Sequence, residues 1–323
     1  MMAASYILPI RRRGIGDVRD LTDYLRWLDS RVQLIVVDGS PADVFAHHEK
    51  AWAGIRHVPP SPHRASANGK VAGVLTGLDL AGNERVVIAD DDVRYNDTSL
   101  AGIIALLDEA EVVRPQNYFD PLPWHARWDS ARSLLNRVTG GDWPGTLAVR
   151  RSLLQATRGY SGDCLFENLE LVRTVKAAGG RELVASGVFV PRRPPDAAHF
   201  LSQRVRQAYD EFARPSRMVV QLALLPTMMA LARTRPRLLP LIGLTAIAMA
   251  EVGRRSHGAD QVFPLSASLL APLWLVERAI CSWLAVGSRA LFGGVVYGDR
   301  VIARAATPRS ELTARIARQA DAG

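Results

Sequence analysis

Asp90, Asp91 and Asp92 follow directly on a short apolar run, RVVIA at 85–89. Two carboxylates one residue apart at the tip of a buried strand can chelate a hard divalent cation, Mg²⁺ or Mn²⁺. Asp90 and Asp92 have that spacing. The cation can bridge a diphosphate and neutralise its charge as it leaves. A solvated acidic loop would carry the same residues, so the motif needs company. Asp38 supplies some: it ends a second apolar run, VQLIVV at 32–37. There its carboxylate can accept hydrogen bonds from a base or a ribose, although the first position of a tight turn uses aspartate too. Lys70, in Asn68-Gly69-Lys70, opens a helix. An ammonium beside the free N–H groups of a helix start suits phosphate, and a solvated surface lysine is the plain alternative.

To converge, these residues must stand on elements that end at one edge. Runs at 6–10, 32–37 and 85–89 read as strands rich in β-branched residues and bounded by turn signals. Stretches at 20–29, 41–53 and 69–80 read as helices. Continuous apolar strands alternating with helices predict an α/β fold with a mostly parallel sheet covered on both faces. Ligands of such sheets bind at the carboxyl ends of the strands, where Asp38 and Asp90 to Asp92 lie.

The 323 residues suffice for one large domain or two ordinary ones. A hydrophobic share of 48% against 22% charged residues excludes a disordered chain. Cys164 and Cys281, the two cysteines, lie far apart and form no CxxC pattern, which argues against a zinc ribbon or a disulfide framework. A net charge of +8 admits nucleic acid, an anionic membrane surface or phosphorylated substrates as partners. A mean hydropathy of +0.02 is high for so basic a chain, and the reason is segregation. The part up to about 215 alternates strands and helices, whereas apolar helices with arginine-rich joints follow. The expected division is a catalytic domain over 1–215 and a membrane region over 216–323. The N-terminal apolar run is too short for a signal peptide and its arginines follow it, which predicts a cytoplasmic catalytic half.

The order VDGS, NGKVAGVLTGLDLA and RVVIADDDV resembles the donor half of a family 2 glycosyltransferase of GT-A fold, a Rossmann-like domain. The resemblance spans roughly residues 5–215. It implies that Asp38 contacts the nucleobase, that Lys70 serves the diphosphate, and that Asp90 and Asp92 hold the metal. Pro9 and Asp91, at the same strand ends, complete the nucleotide-sugar-binding set. The implied donor is a UDP- or GDP-linked sugar.

An acceptor half follows. LFENLEL at 165–171 heads a helix. Members of the family often place Glu-Asp there, with the aspartate as base, but Asn168 stands where that aspartate would be. An amide cannot accept the proton, so Glu167 is the expected substitute, with Glu170 one helical turn on. Acidic residues also suit the first turn of any helix. Asp142-Trp143-Pro144-Gly145-Thr146 resembles the family's acceptor loop, with Trp143 and Gly145 as its contacts. Gln203-Arg204-Val205-Arg206-Gln207 resembles the QxxRW motif of membrane-embedded members such as ceramide glucosyltransferases. Gln203 and Arg206 match, and Gln207 replaces the tryptophan. The motif implies diphosphate and acceptor contacts, for which the planar fork of an arginine is suited. Trp124 and Trp128, four apart, predict an aromatic helical face for a sugar, for lipid or for core packing. His125 and His199 lack partners at metal-ligand spacing and read as ordinary polar residues.

The apolar runs at 218–232 and 238–250 fall short of the ~20 residues of a perpendicular span, and flanking arginines can snorkel to lengthen them. The stretch 263–296 is interrupted by Glu277, Arg278 and Arg289 and reads as interfacial. The basic tail favours a cytosolic C-terminus. A multi-pass or monotopic protein of the cell membrane is expected, acting on a lipid or lipid-linked acceptor. Two other readings stay open: a sugar nucleotidyltransferase, echoed by Arg11-Arg12-Arg13-Gly14-Ile15-Gly16, and a catalytically inactive sugar-nucleotide sensor, allowed by Asn168 and Gln207. No nucleic-acid-binding module is visible.

Overall fold

The computed structural model describes residues 2–297 and 300–321. In chain order its main elements are β1 (Ala4–Ile10), α1 (Arg19–Asp29), β2 (Gln33–Asp38), α2 (Ala42–Ala51), β3 (His57–Val58), α3 (Gly69–Leu80), β4 (Arg85–Ala89), α4 (Asp97–Ala105), β5 (Val112–Phe119) and α5 (Trp124–Val138). Then follow β6 (Thr146–Arg150), α6 (Arg151–Ala156), α7 (Glu167–Ala177), β7 (Glu182–Arg192), α8 (Ala197–Ser202), α9 (Arg204–Tyr209) and α10 (Pro215–Thr234). The chain closes with α11 (Leu239–Arg255), α12 (Leu265–Leu269), α13 (Ala271–Phe292), β8 (Val295–Tyr297), β9 (Arg300–Ile302) and α14 (Arg309–Asp321). The seven-stranded sheet has the order β3-β2-β1-β4-β6-β5-β7. The first four strands are mutually parallel, and β6 runs antiparallel to both β4 and β5. The α/β fold with a mostly parallel sheet is as the sequence predicts.

The chain forms two compact units. The first comprises residues 1–115, 144–188 and 307–323. Every residue of β1 is buried, because a helix covers each face. Ile7 and Pro9 face α3, where Gly73 and Gly77 leave no room for a side chain: an added Cβ on Gly73 would lie 2.9 Å from Pro9 Cβ, and one on Gly77 would overlap Ile7. Tyr6 points the other way, its hydroxyl 3.4 Å from that of Tyr24 on α1. The alternation of β1 thus fixes α3, and with it the helix start that carries Lys70.

The second unit comprises residues 116–143 and 189–306. Its core joins Ala131 and Leu134 of α5 to Ala246 and Ala250 of α11, with Phe263, Ala271 and Trp274 around them. Small residues let these helices approach closely, and Gly253 lies against the Leu134 carbonyl. Arg137 of α5 donates to the carbonyls of Gly253 at 2.9 Å and Ser256 at 2.7 Å. This division differs from a single break at 215. The aromatic segment groups with the apolar helices because α5 buries its apolar face among them. The tail from Thr307 groups with the first unit because α7 clasps it. Arg173 donates to the Thr307 carbonyl at 2.9 Å, and the Thr307 N–H donates to Glu170 at 2.7 Å.

Two helical stretches, Pro215–Thr234 and Pro236–Gln261, are long and apolar enough to cross a membrane by length and composition. Both extend past the short runs visible in the sequence, since the helices continue into their polar ends. Most of each is uncovered by protein.

Candidate functional site

The sheet order places the reversal of chain direction beside β1: β2 and β3 lie to one side and β4 to the other. A crevice outside the carboxyl ends of the strands is the ligand site of such sheets. Register sets what stands there. Ile10 pairs with Asp38 across β1 and β2, and Ile7 with Ile88 across β1 and β4. Pro9, Asp38 and the run from Asp90 to Asp92 therefore finish at one edge of the sheet, as their parallel strands require.

After β4 the chain makes a tight turn in which Val93 N–H donates to the Asp90 carbonyl at 3.2 Å. Arg94 holds the turn by donating to the carbonyls of Asp91 and Val93. Asp91 is partly exposed and lies 3.5 Å from Arg12. Lys70 is held from below: Asn68 caps α3 by accepting from the Lys70 N–H at 3.0 Å, and the Asn68 N–H donates to the Gly162 carbonyl at 2.8 Å. The Lys70 ammonium reaches Asp90 at 2.6 Å and Glu167 at 2.8 Å. Burial alone would lower its pKa, but the two carboxylates outweigh burial and hold it well above the ordinary lysine range. Lys70 is thus a fixed positive charge at neutral pH. Tyr160, whose own pKa is raised by burial, feels the charges of Lys70, Glu167 and Asp90. Three sequence-predicted residues, Asp90, Lys70 and Glu167, are therefore drawn together from a strand end and two helix starts. The hard, half-buried carboxylate oxygens of Asp90 and Asp92 are donors of the kind Mg²⁺ and Mn²⁺ take, so the residues fit such an ion.

Asp38 is buried, at 1% exposure. Its Oδ2 lies 2.6 Å from His48 Nδ1 and 3.0 Å from His57 Nε2, and its Oδ1 accepts the Ser40 N–H at 2.9 Å. Burial would raise its pKa, yet hydrogen bonds from His57, Ser40 and His48 prevail and hold it well below the usual carboxylate range. Ligand atoms of these three side chains all lie within 4.8 Å of one another, a mixed oxygen and nitrogen set that suits a transition ion better than Mg²⁺. No sequence motif marks either histidine. They sit on α2 and β3, and only the pairing of β2 with β3 brings His57 in beside Val36.

The head of α7 assigns separate places to its polar residues. Glu167 faces Lys70. The Asn168 amide donates to the Pro144 carbonyl at 2.9 Å, a bond that an ionised aspartate could not make. Gly145, next along, accepts the Asp90 N–H at 2.8 Å. Asn168 and Gly145 thus tie the loop before β6 to α7 and to the aspartate turn. Glu170 is fully buried and accepts from Thr307, which makes it an anchor for the tail.

Trp143, Gln203 and Arg206 belong to the second unit. Gln203 meets His199 through their side-chain nitrogens, and Arg206 donates to the Gln203 side chain at 3.3 Å. Arg204, between the two motif positions, turns inward. It donates to Asp129 at 2.8 Å and lies over the Phe200 ring at 4.0 Å. Asp142, beside Trp143, accepts from Arg132, Ser133 and Asn136. Trp124 and Trp128 share a face of α5 as their spacing predicts, with ring centroids 6.4 Å apart. His125 is buried, its Nε2 2.8 Å from the Pro195 carbonyl.

With this geometry the class of fold can be stated: the chain has the GT-A glycosyltransferase fold. It resembles a mannosyltransferase from Pyrobaculum calidifontis solved with GDP-mannose and Mn²⁺, at a TM-score of 0.51 and 16% identity over 87% of each chain. Weaker likenesses are mannosyl-3-phosphoglycerate synthase from Rubrobacter xylanophilus, at TM-score 0.43 and 16% identity over 62% of this chain and 69% of that one, and glucosyl-3-phosphoglycerate synthase from M. tuberculosis, at 0.41 and 21% over 60% and 72%. No family model and no curated protein matches the chain.

Proposed function

We propose that the chain is a membrane-associated glycosyltransferase that moves a hexose from a UDP- or GDP-linked donor to a lipid or lipid-linked acceptor. The observation that carries this reading is the Lys70 ammonium held between Asp90 and Glu167. It sets a permanent positive charge beside metal-competent carboxylates at the ligand-binding edge of the sheet. The mannosyltransferase of like fold, with its GDP-mannose and Mn²⁺, supports it.

In this reading Asp90 and Asp92 would hold Mg²⁺ or Mn²⁺, which when bound neutralises the diphosphate. Lys70 and the free N–H groups at the start of α3 bind phosphate oxygens. Asp38, kept anionic and oriented by His48 and His57, presents the nucleobase side of the pocket together with Pro9. Glu167 is the carboxylate at the head of α7 that can take the proton of an acceptor hydroxyl. Asn168 shapes the loop of Pro144 and Gly145. Gln203, Arg206 and Trp143 are assigned to the diphosphate and the acceptor. In this reading the uncovered apolar helices would lie in the cell membrane and the first unit in the cytoplasm, which two helices of spanning length support.

The test is nucleoside diphosphate release by the purified full chain, given UDP- and GDP-sugars, Mn²⁺ and a lipid extract. Asp92→Ala should lower release at least about 100-fold while thermal unfolding is unchanged. Release by that variant at the wild-type rate removes the metal role. Pyrophosphate as product would favour the nucleotidyltransferase, and nucleotide binding without turnover the sensor.

A further inference from the structure

The second unit holds a cavity of about 790 Å³, within the roughly 300–1,000 Å³ range of small-molecule sites. Leu224 of α10, Ile242 and Ala246 of α11, Leu135 of α5 and Trp274 of α13 line it. Two charged residues, Arg217 and Arg278, interrupt this apolar wall. Arg278 of α13 also lines the cavity and is 2% exposed. Its Nε and Nη1 are buried and donate to no partner.

A buried guanidinium without a hydrogen-bond acceptor is costly; Glu277 and Glu211 offset part of its charge, but neither accepts a hydrogen bond from it. Glu211 is taken by Arg214 at 2.7 Å and Arg217 at 3.3 Å. Glu277 lies 3.7 Å from Arg204. Arg217 and Gln221, which also line the cavity, are engaged: Arg217 donates to Asn136 at 2.8 Å, and Gln221 accepts from Ser282 at 3.1 Å. Arg278 alone combines burial, position in the wall and open donors. Val220 and Leu241 also line the cavity, yet are 63% and 55% exposed, so its apolar wall continues onto the uncovered surface of the two membrane-length helices.

We infer that this cavity binds a phosphate-headed lipid, with the hydrocarbon chain among α10, α11 and α13 and the phosphate on Arg278. A guanidinium fork takes phosphate oxygens bidentately. The chain satisfies the apolar wall, which no soluble phosphate could do. The inference concerns binding and stands whether or not the first unit transfers sugar.

The test uses the full chain in dodecyl maltoside, with binding read by native mass spectrometry and by ligand-induced thermal stabilisation. The probes are palmitoyl-oleoyl phosphatidic acid, the phosphatidylcholine with the same chains, oleate and inorganic phosphate. Phosphatidic acid should bind and stabilise, and the other three should bind at least about tenfold more weakly. Arg278→Met should lower phosphatidic acid affinity about 10- to 100-fold. Its effect on the lipid-free protein should be small beside that loss, because the guanidinium makes no hydrogen bond there. A residue with a merely structural role would show the opposite pattern, a loss of lipid-free stability with lipid affinity retained. Leu224→Trp, which fills the cavity without touching the charge, should abolish lipid binding. Equal binding of phosphatidic acid and phosphatidylcholine, oleate as tight as phosphatidic acid, or lipid binding unchanged in Leu224→Trp would each overturn the inference.

Discussion

The two units differ most in what they leave at the surface. In the first, buried charged groups meet polar partners: Lys70 with Asp90 and Glu167, Asp38 with two histidines, Glu170 with a backbone N–H. Among the described residues of that unit, Ile15 is the large hydrophobic left exposed. In the second, large apolar side chains such as Val219, Leu244, Val252, Leu291 and Phe292 are 60% exposed or more, while Arg278 is buried with open donors. Contiguous apolar surface of this kind marks a membrane or an interaction site. The difference teaches that polar satisfaction and surface character can vary between units of one chain.

The largest effect is expected at Lys70. Lys70→Met leaves Asp90 and Glu167 facing each other without their shared cation, so nucleoside diphosphate release should fall about 100-fold or more. Lys70→Arg should retain part of it. Wild-type rates in Lys70→Met would make the buried charge cluster architectural.

The opposite character of the second unit is tested by its surface. Replacing Val219, Leu244 and Val252 together by Asn should release the protein from vesicles in a flotation assay, because burial of each large apolar side chain contributes about 1.5–3 kcal/mol. Undiminished flotation would mean that these side chains do not face lipid.

Packing in the first unit is sharpened by Gly77→Ala. An added methyl overlaps Ile7 of β1, and overpacking of this kind costs about 1–3 kcal/mol. Thermal unfolding should fall by several degrees, and an unchanged midpoint would show that α3 can move off the sheet. The smallest effect is expected from Asn168→Asp. It removes a donor to the Pro144 carbonyl, for a loss of about 1 kcal/mol, and turnover should not rise. A large gain in turnover would show that position 168 can serve as the base after all.

Much of the first unit was legible in the sequence because its signals are local. The strand 85–89 and the helix 69–80 were read to the residue, since a β-branched run ending in aspartates and an asparagine cap each carry their own boundary. The two tryptophans of α5 obeyed helical spacing. Legibility failed where partners are remote. His48 and His57 lie ten and nineteen residues from Asp38, with no spacing rule to join them. The grouping of α5 with the C-terminal helices, and of the tail with α7, was equally invisible, because small residues such as Ala131, Ala246 and Gly253 look alike in any helix.

Which residues could do chemistry, and that their strands would run parallel, follows from residue type and periodicity, because these act over a few neighbours. Tertiary structure alone decided who meets whom. It turned Asn168 into a donor to a loop carbonyl, drew two histidines onto Asp38, and left Arg278 in an apolar wall without an acceptor. Those outcomes depend on groups far apart along the chain, whose encounter is fixed only when the sheet and the helices have packed.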